Sequence, residues 1–531
     1  MATRIGICTN FGNCTLADRG EKTAIPVGGV FVCPECQRDL SPVGGGEATP
    51  GQPQRVVVAL GCLLLLGLIG GGAWYFLRSR SKAPEPSPQA ASPGAPAAAA
   101  PVGNGAGNSE VVLRLQGSNT IGESLAPSLA EKLLTSLGAQ SVHREALGAD
   151  ETRVVGTIEG GPKAIEIRAH GTGTAFEALA SSAADIGMAS RPIRPDEKSR
   201  LAALGDMTSR ASEHVLGVDG VAVVVHPSNS LDALSLDQVR DVFTGRVADW
   251  SQVGGAPGPV QLYARDDKSG TFEIFRDVAL RGQGLGAGAK RFENSRELSQ
   301  AVAGDPRGIG FIGLAFVGGA KALRIAANPG AVALRPTVLT VRTEDYPLSR
   351  RLYLYTPAAP SNPWTKRFID FALSDPGQGV VDASGFVGQA LARQTLAAAN
   401  EPAAPRAGLP PAYARFTQDA ERLPFNFRFR TGSDELDTKA YRDLGRLVQL
   451  MSDPAYQRRQ VLLFGFADTQ GATAANLTLS RNRAQAVRAA LEGEGIRPAV
   501  VEGFGEELPV ADNATPEGRE KNRRVEIWLR R

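Results

Sequence analysis

Histidine is scarce in this chain. Its 531 residues include four, His143, His170, His214 and His226, and none stands at a metal-ligand spacing such as H-E-x-x-H. Histidine-based hydrolysis and zinc catalysis therefore find no support in the sequence. Thiols end at Cys62, and everything downstream is free of cysteine. An excess of one charge is also missing: 58 basic residues against 55 acidic ones give a formal net charge of +3, no electrostatic footprint for DNA or RNA. Nucleic acid is not an expected partner. Apolar residues are not lacking. At 42% hydrophobic over this length, the chain is neither wholly disordered nor a single core, and several domains are expected.

Four of the five cysteines lie in the first 36 residues, as Cys8 and Cys14 and then, after a Gly-containing stretch, Cys33-Pro-Glu-Cys36. Two pairs separated by a short β segment suit a tetrahedral thiolate site, and a segment this short needs some such staple. The C-x2-C half carries the signal; the five-residue gap between Cys8 and Cys14 is wider than usual. Structural zinc is favoured over disulfides or free thiols, and residues 1–48 resemble a small zinc ribbon.

Val56 to Leu77 reads VVVALGCLLLLGLIGGGAWYFL, without a charge and closing on Trp74 and Tyr75. That length and composition predict a transmembrane helix, placed too deep in the chain for an ordinary signal peptide. Arg78, Arg80 and Lys82 follow it while only Arg55 immediately precedes it, which by charge alone would put the C-terminal side in the cytoplasm. The thiol cluster calls for a reducing compartment on the N-terminal side, and the cysteine-free remainder suits export. The expected location is therefore the inner membrane, with a cytoplasmic N-terminus and periplasmic C-terminal domains. Residues 78–109 are a Pro/Ala/Gly-rich linker, and a second Pro/Ala-rich interruption begins at Ala397.

Residues 110–396 alternate β-branched runs with amphipathic stretches, as an α/β domain does. Four hydroxyl- and glycine-bearing turns open helical patterns: Gly117-Ser118-Asn119-Thr120, Gly171-Thr172-Gly173-Thr174, Ser190-Arg191-Pro192, and the run from Arg265 to Ser269-Gly270-Thr271. Helix N-termini present unpaired N–H groups, so converging turns of this kind make an anion site with Arg as countercharge. Taken singly, each turn is more readily a simple N-cap.

These turns, with ADIGMASR (184–191), LSLDQVRDVFTGRVADWSQVGG (234–255), GDPRGIGFIGLAFV (304–317) and PLSRRLYLYT (347–356), resemble the periplasmic phosphate-binding proteins of ABC importers. The resemblance implies a two-lobed type 2 solute-binding fold with phosphate or a related oxyanion in the hinge cleft. Arg265 would pair with the anion, oriented by Asp267. Ser269, Gly270 and Thr271 would cradle it from one lobe, and Ser118, Thr120, Thr172 and Ser190 would face it from the other. Arg191 stands where some members carry an Asp that accepts the proton of monohydrogen phosphate, and is expected to add positive charge to the site. A serine nucleophile at Ser118 or Ser269 would need a base that no motif supplies, so no enzyme is expected.

Residues 425–531 read as β-α-β-α-β with a further β segment near 500–503. Asp468 ends one strand, and Arg483 lies in the first turns of the following helix with Ser480 as its expected cap. Carboxylate and guanidinium at the two ends of a short pocket suit a zwitterion, although taken alone the two are more readily a surface ion pair. GFADTQG, LSRNRAQAV and GFGEELPVADNATPEGREKNRRVEI resemble the C-terminal domain of outer-membrane protein A-like proteins. That family binds peptidoglycan through the diaminopimelate of the stem peptide. The resemblance places Asp468 on the ammonium, Arg483 on the carboxylate, and Asn476, Asn522 and Arg524 at further motif positions.

The expected architecture is thus a multidomain α/β chain. It comprises a zinc-ribbon-like segment (1–48), one membrane span (56–77), a linker (78–109), a two-lobed binding domain (110–396), a second linker (397–424) and an α/β sandwich (425–531). Solute capture or sensing at the cell envelope, with a transporter or sensor protein as further partner, is the expected role. The alternative is a structural envelope linker whose middle fold contacts a protein instead of a small ligand.

Overall fold

The computed structural model describes residues 3–8, 22–26, 32–34, 40–42, 109–391 apart from 268 and 330, 409–430 and 435–531. At the N-terminus, Thr3–Cys8 pairs antiparallel with Lys22–Pro26 on one side and Leu40–Pro42 on the other. Cys33 is buried, while Cys14, Cys36 and the side chain of Cys8 lie outside the described residues. The expected span 56–77 and nearly all of the linker 78–109 lie outside them too. Among the described residues no helix is long and apolar enough to cross a membrane.

The middle domain has two lobes with separate cores. Lobe one builds on Glu110–Gly117, Gly161–Arg168 and Ile186–Ala189, a parallel set extended at its edge by Glu151–Ile158 and Gln140–Gly148. Its core includes Leu113, Ile121, Leu129, Ile165 and Phe368. Lobe two builds on Gln261–Arg265, Gly308–Gly313 and Lys290–Phe292, around Phe243, Phe275 and Phe311. Two antiparallel strands, Glu213–Val225 and Ser349–Tyr355, belong to both lobes and form the hinge. Glu213–Val225 is buried along all 13 residues, and its near-continuous apolar run VLGVDGVAVVV fits a strand covered on both faces.

The C-terminal sheet has the order Ala420–Phe427, Val525–Arg530, Gln460–Gly465, Val500–Gly503. Helices Thr438–Ser452 and Thr473–Gly493 supply Leu444, Leu447, Val487 and Leu491 to one core, so the expected α/β sandwich is what forms. Two expectations need correction. The linker assigned to 397–424 already contains folded structure: helix Pro411–Thr417 buries Tyr413 among Phe464, Phe466 and Phe504, and the first strand starts at Ala420. Pro and Ala concealed this helix, because Pro at the first helical position is compatible with the fold it begins. Ser480 is not a helix cap. The helix starts seven residues earlier, at Thr473, and the Ser480 hydroxyl is buried, donating to Leu477 O and accepting from Gly505 N.

The C-terminal domain docks against the hinge through buried charge. Glu344 receives Arg351 at 2.9 Å, with Arg428 and Lys439 each at 3.9 Å. Arg422 pairs with Asp345 at 2.7 Å, and Asn426 Nδ2 donates to Thr343 O and Asp345 Oδ1. Those contacts reach lobe two. On lobe one, Thr438 donates to Glu213 at 2.6 Å, Arg430 pairs with Asp206 at 2.7 Å, and Arg442 Nη2 donates to His214 Nδ1 at 3.1 Å. Burial pushes the Glu344 carboxyl up, but Arg351, Arg428, Lys439 and Lys521 outweigh it and hold it at about 2. Burial, helped by Arg442, holds His214 down at about 4.

Truncating one partner of a buried charge cluster strands the others. Glu344→Ala is therefore expected to cost roughly 3–5 kcal/mol in urea unfolding of the chain. The pH dependence follows by sign. His214 binds its proton more weakly folded than unfolded, so its contribution is complete above its ordinary 6.5 and is lost as the pH falls toward about 4. The Glu344 contribution is complete above its ordinary 4.5 and is lost as the pH falls toward about 2. Stability followed against pH should drop in these two stages, and Glu344→Gln should remove the lower one.

Candidate functional site

Three turns of lobe one sit side by side at the C-terminal ends of parallel strands, where open α/β sheets place their ligands. Gly117 ends Glu110–Gly117 at φ +139°, and a Cβ there would lie 2.1 Å from Met188 O, so the turn admits only glycine. Ser118 N donates to Met188 O and Gly171 N to Gly117 O, each at 2.8 Å. Thr172 Oγ1 accepts from Ser190 N at 3.1 Å and lies 2.9 Å from Ser190 Oγ. These bonds tie Ser118, Thr172 and Ser190 into one surface. The Ser118 side chain makes no capping bond, is fully buried, and finds no hydrogen-bond partner among the described residues. A capping role therefore does not account for it.

The lobe-two turn approaches this surface. Ser269 does cap its helix, accepting from Thr271 N at 3.2 Å. Gly270 lies so close to Thr120 that an added Cβ would meet Thr120 Oγ1 at 2.2 Å, so only a residue without a side chain lets the lobes meet here. Arg265 is held inside lobe two, Nη1 donating to Ser295 Oγ at 2.6 Å and Nε to Phe292 O at 3.3 Å.

Two side-chain roles differ from expectation. Asp267 does not orient Arg265. It projects from an exposed turn and pairs with Arg291, leaving Ser295 and the Phe292 carbonyl to fix the Arg265 guanidinium. Arg191 adds no uncompensated charge. Its Nη1 and Nη2 bond both oxygens of the buried Glu197 at 2.8 and 2.7 Å, and its guanidinium lies over Phe176.

Sequence reasoning missed the group that joins the lobes. Arg350, on the hinge strand, donates Nη2 to Thr120 Oγ1 and to Gly270 O, each at 2.8 Å. Its Nε lies 3.5 Å from Asp219 Oδ2 and its Nη1 3.6 Å from Glu273 Oε2. Burial raises the Asp219 carboxyl while Arg350 opposes the shift. Thr120 also donates to Glu273 at 3.4 Å. An Arg-Arg pair opening an apolar strand was the available signal.

In the C-terminal domain, Asp468 is buried just beyond its strand. It accepts from Gln470 N and pairs with Arg523 at 2.9 Å, a partner the motif did not name. Asn476 and Arg483 project from the same helix, two turns apart, both buried, and Asn476 Nδ2 donates to Glu506 at 2.7 Å. Asn522 and Arg524 shape the neighbouring loops. Asn522 Oδ1 accepts from Val510 N and Ala511 N, and Arg524 pairs with Glu526 while stacking 4.0 Å above Phe466.

Comparison with known proteins finds one match within each of the two large domains. Residues 158–376 match the PBP superfamily domain, and residues 428–523 match the OmpA family. A phosphate-binding protein PstS of Staphylococcus saprophyticus is 29% identical over 226 residues, 41% of this chain and 69% of that protein. Protein SphX of Synechocystis sp. is 31% identical over 241 residues, 42% of this chain and 70% of that protein. A solved structure, a possible phosphate binding protein from Planctomyces limnophilus, is 24% identical with a TM-score of 0.44, covering 54% of this chain and 95% of that one.

Proposed function

We propose, for a chain that belongs to the PBP superfamily and whose residues 428–523 match the OmpA family, that it binds phosphate or a related oxyanion and grips peptidoglycan. The observation that carries the oxyanion reading is the convergence of four turns, three of them hydrogen-bonded together around the unpartnered Ser118 hydroxyl. Ser118, Thr120, Thr172 and Ser190 donate from lobe one, Ser269, Gly270 and Thr271 from lobe two, with Arg265 as countercharge; Arg350, held between Asp219 and Glu273, bridges the lobes instead. Solute capture or sensing at the envelope, not catalysis, is the role this arrangement serves.

The C-terminal domain takes the diaminopimelate of a stem peptide, Asp468 receiving the ammonium in exchange for Arg523 and Arg483 the carboxylate. Anchoring by 56–77 in the inner membrane, with both large domains periplasmic and a transporter or sensor as partner, completes the reading. Zinc on Cys8, Cys14, Cys33 and Cys36 is supported by the burial of Cys33 and the three-stranded sheet of that segment. One zinc per chain, measured on residues 1–48, is expected; reactive thiols with little zinc would count against it.

The second reading, a structural linker whose middle fold holds a protein, draws on Glu273, a carboxylate placed among the anion donors. Calorimetric titration of residues 109–396 separates the two. Micromolar or tighter binding of phosphate, with sulfate as control, and loss of at least about tenfold in Arg265→Ala support the receptor. An unchanged Arg265→Ala affinity overturns the site, and no heat from a folded sample favours the linker. For the wall, Asp468→Ala combined with Arg483→Ala is expected to abolish co-sedimentation with purified sacculi, and undiminished co-sedimentation removes that assignment.

A further inference from the structure

A cavity of about 1170 Å³ lies between the middle and C-terminal domains, away from both sites described above. One wall is helix Pro363–Leu373 with the chain leading into it; the other is the face of helix Thr438–Ser452 that carries Arg442 and Arg446. Its lining includes five cations, Arg210, Lys366, Arg367, Arg442 and Arg446, and a single carboxylate, Asp370, already paired with Lys366.

The site is built, not merely basic. Arg442 donates Nη2 to His214 Nδ1, so that nitrogen carries no proton, and His214 Nε2 lies 3.2 Å from Thr356 Oγ1. His214 therefore adds a neutral ring that aims Arg442. The Nη1 of Arg442 is buried without a hydrogen-bond partner among the described residues. Thr365, 1% exposed in the opposite wall, holds a hydroxyl in the same condition. Arg210 is fixed over the Tyr441 ring at 4.3 Å, and Arg446 is positioned by Asp443 and Gln389. Buried donors without acceptors are costly, and two guanidiniums one helical turn apart repel each other. Both costs are relieved by an anion.

We infer that this interdomain cavity binds a small polyvalent anion, a condensed phosphate or polycarboxylate, held between Arg442 and Arg446 on one wall and Thr365 and Arg367 on the other. Arg446 and Lys366 are already paired with Asp443 and Asp370, but Arg210, Arg367 and Arg442 have no ion-pair partner among the described residues; three such cations exceed what a single dianion neutralises, and the volume is that of a pocket for an organic ligand, not for one oxyanion. Because both domains supply the walls, the ligand also cements their docking. The inference does not rest on the proposed oxyanion cleft.

The test uses the full chain in detergent with saturating inorganic phosphate, so that the other cleft is filled. Tripolyphosphate and citrate are titrated by calorimetry, one arm for each ligand chemistry. Binding of either, weakened about tenfold or more in Arg442→Gln with Arg446→Gln, supports the site. Should that variant lose its fold by circular dichroism, Arg210→Gln with Arg367→Gln, two exposed positions, should still weaken binding severalfold. Absence of binding by both probes, or an affinity unchanged in a folded variant, overturns the inference. So does binding that is abolished by Arg265→Ala and untouched at Arg442, which would place the anion in the other cleft.

Discussion

Two adjacent arginines on the hinge strand Ser349–Tyr355 hold this molecule together. Successive residues of a strand point to opposite faces, so Arg350 and Arg351 cannot serve the same neighbour. Arg350 faces the cleft, where it takes Thr120 of one lobe and the Gly270 carbonyl of the other. Arg351 faces away, where it takes Glu344 at 2.9 Å and Asp437 of the C-terminal domain at 2.8 Å. The ligand cleft and the domain junction are thus two faces of one strand. Neither arginine can shift along the strand without dragging the other.

A junction built from buried charge is an unusual choice when apolar packing would be at least as stable. What the charges supply is orientation. Glu344, Asp345, Arg351, Arg422 and Arg428 form bonds of fixed direction, whereas an apolar interface tolerates sliding. Glu344 adopts φ +61°, a backbone conformation that side chains rarely take, and there its carboxylate meets Arg351 and Arg428. The same logic explains Arg191. A bidentate bond to Glu197 fixes the loop after Ser190, so the charge shapes the turn and is absent from the cleft.

The two-lobed middle fold, the C-terminal sandwich and the polar turns were legible in the sequence, because their signals are local. Periodicity separates strands from helices, and a glycine-hydroxyl turn at a strand end announces itself within five residues, as Gly117 to Thr120 does. What stayed hidden depends on distant partners. Arg350 meets Thr120 across 230 positions of chain, and no spacing rule reaches that far. Asp267 lay two residues from Arg265 and still turned outward to Arg291. Ser480 resembled a cap because serine is favoured at helix starts, yet it sits mid-helix, receiving the Gly505 amide. Arg523, beside the motif position Arg524, proved to be the residue that pairs with Asp468.

The C-terminal domain touches Asp206, Glu213 and His214 on one lobe and Thr343, Glu344 and Asp345 on the other. Two bodies joined by a hinge have a free angle between them; a third body fastened to both makes a braced triangle. The angle of the cleft is then set by the brace before any solute arrives. Much of the entropy that a free hinge would surrender on closing is then already given up in folding.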